Sequence, residues 1–119
     1  MKYLDIDIKE IPESVLTFLN ESDTNITQDY IRTLLNVIDD LDFWYRDQCS
    51  IVDHMYRRRF TRLSNMILTE KLTISDYHVE CELLDSEHRE LCDHITKQYC
   101  ESTDKIRKNI QHKLSSNRK

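Results

Sequence analysis

Three residues of this chain carry the spacing of a metal site. Cys81, His88 and Cys92 stand seven and four residues apart, so on a helix all three fall on nearly one face. Thiolate sulfur and imidazole nitrogen are ligands that tetrahedral zinc takes, with Cys100, His78 or a second copy left to supply a fourth. Packing is the competing reading. Cys81 and His88 lie in an apolar stripe, where cysteine is commonly a small hydrophobe, and structural zinc ligands usually come in close pairs from loops. The packing reading is preferred, and neither a metal nor any other cofactor is expected.

Cysteine and histidine also offer a nucleophile and a base, but the chain has no glycine with which to build the sharp turn that exposes a nucleophile. A long helix also hides its own amides from a developing oxyanion. Adjacent acids such as Asp39 and Asp40 diverge around a helix, so a solvated face explains them better than an acid/base pair. The chain is therefore read as non-catalytic. Its densest positive charge is the basic patch Arg57, Arg58, Arg59 and Arg62, which suits phosphate or an acidic partner unless carboxylates of another helix neutralise it.

The elements that must position these groups are two long helices. From Asn25 to Thr69 an apolar stripe runs Ile31, Leu35, Ile38, Tyr45, Cys49, Val52, Tyr56, Phe60, Leu63 and Ile67, in steps of three and four broken at Asp42. A second line, Tyr30, Leu34, Val37, Leu41, Trp44, Ile51 and Met55, widens the first half into the face of a helix with two or three neighbours. From Ser75 to Leu114 a further stripe passes through Tyr77, Cys81, Leu84, His88, Leu91, Ile95 and Tyr99. Folding the chain back near Leu72 sets Arg57, Arg58, Arg59 and Arg62 beside Glu87, Asp85, Glu82 and Glu80, as an antiparallel hairpin would need. That mirror pairing is the preferred account of the arginine cluster. Each helix would extend about 60 Å, and a lone hairpin of that length leaves apolar surface for a partner.

Composition points the same way. Without glycine, and with one proline, the 119 residues are ill suited to tight β-hairpins, dinucleotide-binding turns or phosphate-cradling loops, which leaves an all-α fold. A net charge of −5 opposes non-specific nucleic-acid binding. No apolar run approaches a membrane span, and four unevenly spaced cysteines suit a reducing compartment, so an intracellular protein is expected. Residues 1–24 read as an N-terminal arm and a short helix after Pro12, residues 25–114 as the hairpin, and residues 115–119 as a disordered basic tail. Asn25 followed by Gln28 resembles a capping box, and Thr73 or Ser75 can cap the second long helix.

Several patches carry a resemblance. Tyr3-Leu4-Asp5 and Ile8-Lys9-Glu10-Ile11-Pro12-Glu13, then Ile31-Arg32 with Leu35, Ile38 and Leu41-Asp42, then Glu82-Leu83-Leu84-Asp85 with His88, Leu91, Asp93 and Ile95, resemble the N-terminal domain of the inhibitor of growth family of chromatin proteins. That resemblance implies a helical hairpin that dimerises and docks into histone acetyltransferase or deacetylase complexes in the nucleus. The family's zinc-binding histone reader has no counterpart among these residues.

The reading is thus an all-α, long antiparallel helical hairpin with a short N-terminal helix, a homodimeric bundle and scaffold within a larger protein complex. Its expected interface comprises Ile31, Leu34, Leu35, Ile38, Leu41, Trp44, Leu84, His88, Leu91 and Ile95. The rival is a compact monomeric adaptor, viral or signalling, that binds a partner helix in an apolar groove.

Overall fold

The computed structural model describes residues 3–21 and 25–117. The expected polar break at Asn20 to Asn25 falls partly outside them, as does the end of the expected tail. Three α-helices and no strand occur among the described residues: α1 (Glu13–Leu19), α2 (Gln28–Leu68) and α3 (Ile74–Asn117). They form a long helical hairpin with a short leading helix. No helix is long and apolar enough to cross a membrane among the described residues.

Local chemistry sets the ends. Pro12 immediately precedes α1 with φ −55° and an extended ψ of 142°, a conformation its ring favours and from which a helix can start. The Thr27 hydroxyl accepts the Tyr30 N–H at 3.1 Å, so α2 is capped by Thr27 and starts at Gln28 rather than at Asn25. Thr73 caps α3 in the same way through the Asp76 N–H. That helix runs on to Asn117, so Ser115 and Ser116 are helical rather than part of a disordered tail.

The turn between α2 and α3 solves a problem created by the missing glycine. Helices commonly end on a left-handed residue, usually glycine, that lets the next amides return to the last carbonyls. Here Glu70 takes that role at φ 58°, donating its N–H to the Ile67 carbonyl at 3.0 Å while Lys71 donates to the Met66 carbonyl at 2.8 Å. A residue with a Cβ holds a conformation that normally selects against one.

The chain divides into two units, one of residues 1–8 and 47–95, the other of residues 9–46 and 96–119. In the first, α2 and α3 run antiparallel, with Ser64 against Tyr77, Tyr56 against Asp85 and Asp53 against His88. Each of these pairs centres between Glu70 and Lys71, close to the Leu72 mirror expected from the charges. Its core gathers Leu63 and Leu84 with Leu4 of the N-terminal arm, and Tyr77, Cys81 and Leu91 pack around them. The Glu87 carboxylate accepts the Tyr3 and Leu4 N–H groups at 2.7 and 3.1 Å, and the Arg59 Nε donates to the Tyr3 carbonyl at 3.1 Å. One carboxylate and one guanidinium thereby hold an extended strand of backbone that no sheet satisfies.

In the second unit Tyr99 donates to Asp42 at 2.8 Å, on the same register, and packs against Tyr45 with the rings tilted and their centroids 4.5 Å apart. Helix α1 packs here. Its Phe18 is buried and stacks on Tyr30, while the Trp44 indole donates to the Lys9 carbonyl at 2.9 Å. Val37, Leu41 and Trp44 are buried in this unit, and the Tyr30 and Trp44 contacts put the chain's own N-terminal segment over part of the widened face of α2. Lys113 is buried too, its ammonium 4.4 Å from the Tyr30 ring centroid, an arrangement in which the ring face partly replaces lost water.

Candidate functional site

The expected interface residues divide sharply by burial. Leu41, Trp44, Leu84 and Ile95 are buried inside the chain and cannot meet a partner. The stripe has a helical period, but Leu4 packs on Leu84 and the Lys9 carbonyl takes the Trp44 indole, long-range contacts that local periodicity cannot show. Leu34, His88 and Leu91 are half-buried, Leu91 against the core of the first unit. Ile31, Leu35 and Ile38 remain exposed at 40%, 57% and 38%, and form a ridge along α2 in steps of four and three.

The basic patch also differs from expectation. Among the described residues no salt bridge joins Arg57, Arg58, Arg59 or Arg62 to a carboxylate. Helical phase is the reason. Asp53 and Tyr56 meet α3, which turns Arg58 away from it, and Arg57, Arg58 and Arg62 line an open basic depression with His54 and Lys71, while Arg62 also borders a cavity shared with Glu80 without forming an ion pair. Glu87 and Asp85, the acids expected to meet Arg57 and Arg58, instead hold the arm and the Tyr56 hydroxyl. That hydrogen bond, with burial and the Asp85 charge, pushes the Tyr56 pKa up to about 12.

The chemically richest cluster is in the first unit. The His88 Nε2 lies 2.9 Å from the Asp53 Oδ1 and 3.6 Å from the Cys92 Sγ, and the three ligand atoms lie within 4.8 Å of one another. Cys81 is not among them, because it packs against the core formed by Leu4, Leu63 and Leu84. Asp53 takes its place. Metal reasoning confined to one helix missed it, and reflection about Leu72 sets residue 53 opposite residue 91 rather than residue 88.

A cysteine, histidine and aspartate in contact invite comparison with a nucleophilic triad, and the geometry speaks against one. A relay uses both ring nitrogens, one toward the nucleophile and the other toward the carboxylate. Here Asp53 and Cys92 converge on the same Nε2. Burial also pushes the Cys92 thiol pKa up, with Asp53, Cys49 and Asp93 adding to it, so the thiolate that would attack is disfavoured. His88 is braced from the side by Tyr56, the ring centroids 4.4 Å apart. The three donor atoms lie close enough together that they could instead hold a metal ion. No protein-family model matches the chain, and no curated protein and no solved structure matches it either.

Proposed function

We propose that the chain is a non-catalytic scaffold that pairs with a second copy of itself through the ridge Ile31, Leu35 and Ile38. The observation that supports this reading is the exposure of three large aliphatic side chains on one helical face, next to a stretch of α2 that α1 covers. Charge adds to it. Arg32 and Asp39 stand seven residues apart on one flank of the ridge, so a two-fold axis crossing α2 near Leu35 sets each arginine beside the aspartate of the other copy.

Replacing Leu35 by Asp tests the ridge. Burying a leucine is worth about 1.5–3 kcal/mol, which corresponds to roughly a 10–100-fold change in dimer dissociation constant. Arg32→Asp and Asp39→Arg should each weaken pairing and the double variant should restore it. Variants that all keep the wild-type mass at every concentration exclude the ridge as the contact.

Placement of the dimer in a nuclear histone acetyltransferase or deacetylase complex is supported by the family resemblance of the patches around Leu4, Leu35 and Leu84. It is tested by purifying the tagged full chain from nuclear extract. Recovery of a dimer without any acetyltransferase or deacetylase subunit removes the chromatin reading and leaves the scaffold.

A further inference from the structure

The cluster at Asp53, His88 and Cys92 has a neighbour that completes a pattern. Residues 53 and 88 face each other across the hairpin, and moving one turn along each helix on the same register reaches residues 49 and 92. Both are cysteines. Helix α2 thus offers Cys49 and Asp53 four residues apart, and α3 offers His88 and Cys92 four residues apart, with each pair presented on one face. Cys49 is half-buried and near enough to be felt at the Cys92 thiol, but it lies outside the 4.8 Å group, so its side chain must turn toward the other three to ligate.

We propose that Cys49, Asp53, His88 and Cys92 bind a zinc ion that clasps α2 to α3 within the first unit. Zinc takes sulfur at about 2.3 Å and imidazole nitrogen at about 2.0–2.1 Å, which in a tetrahedron places nitrogen and sulfur about 3.5 Å apart. The His88 and Cys92 atoms stand at 3.6 Å. Nitrogen and carboxylate oxygen would stand about 3.4 Å apart around the metal. The Asp53 and His88 atoms are at 2.9 Å, so a small side-chain rotation opens that edge. Mixed sulfur, nitrogen and oxygen donors favour zinc over the hard cations magnesium and calcium.

The charge balance is also favourable. Binding sends the two thiol protons to solvent and leaves the His88 Nε2 lone pair on the metal with the ring proton on Nδ1. A divalent ion replaces two protons, and the net charge of this half-buried site does not change. Cys81 packs against the core of Leu4, Leu63 and Leu84 and takes no part in the site. The clasp does not depend on self-association.

The test uses the full chain under reductant, stripped with a chelator and titrated with cobalt(II), then with zinc in competition. One cobalt per chain should bind with the intense absorption of tetrahedral thiolate coordination, and zinc should displace it. Cys49→Ser and Cys92→Ser should each weaken binding on the order of 100-fold or more, since even partners that merely orient ligands change affinity 10–100-fold. Cys81→Ser should stay within about twofold. Circular dichroism checks that each variant remains helical, and a zinc-dependent rise in melting temperature should vanish in Cys49→Ser and Cys92→Ser. Substoichiometric cobalt without thiolate absorption overturns the proposal, as does loss of binding on Cys81→Ser with Cys49→Ser unaffected.

Discussion

Glu70→Gly should stabilise the protein. Glu70 occupies the left-handed region at φ 58°, where a side chain crowds the following carbonyl at a cost of about 1–2 kcal/mol. Glycine removes that cost but brings extra freedom to the unfolded chain, which returns about 0.4–1 kcal/mol. The glutamate is exposed and its carboxylate enters none of the described ion pairs, so little else is lost. The net gain is about 0.5–1 kcal/mol. Urea unfolding followed by circular dichroism measures it as a higher midpoint at unchanged slope. Glu70→Ala is the control, since alanine keeps the Cβ and should change stability little. A glycine variant no more stable than wild type, beside an unchanged alanine variant, would refute the left-handed turn as what reverses the chain.

Other predictions concern charge and pH. Arg57→Ala and Arg58→Ala should each shift unfolding stability by no more than about 0.5 kcal/mol because neither forms a described ion pair, whereas Glu87→Ala should cost about 1–3 kcal/mol by releasing the Tyr3 and Leu4 amides. Equal losses in all three would restore the mirror pairing. Tyr99 has its pKa raised, first by its hydrogen bond to Asp42 and then by burial. A raised folded-state pKa contributes stability that is complete below the unfolded value of about 10 and is lost as pH climbs through the higher folded value. Tyr99→Phe should therefore lower stability at neutral pH by about 0.5–1.5 kcal/mol and flatten, without abolishing, the alkaline fall, since Tyr30 and Tyr56 are raised as well.

The helices and the reversal near Leu72 were legible in the sequence because they rest on local signals, a period of three and four and the Thr73 cap, whereas the charge mirror fell about three residues off the observed register and its ion pairs are not among those described. What failed to read through needed contacts far apart in sequence. Trp44 looked like an interface residue because nothing nearby in sequence shows that the Lys9 carbonyl reaches it. The arginine cluster looked neutralised because reflection aligns residue numbers and ignores the helical phase that turns Arg58 away from α3 and the arm whose Tyr3 carbonyl takes Arg59. The Asp53 contact with His88 was hidden for a related reason, since an aspartate in a charged run carries no sign of its partner until the register is fixed.

The central claim is that an exposed ridge on α2 holds two copies of this chain together. Light scattering coupled to size exclusion, over a hundredfold range of concentration, measures the mass of wild type and of Leu35→Asp side by side. The account predicts a wild-type mass near twice the 14.4 kDa chain, falling to one chain at lower concentrations, and a variant that remains single throughout. A wild-type mass of one chain at every concentration would contradict it and leave the monomeric adaptor as the reading to pursue.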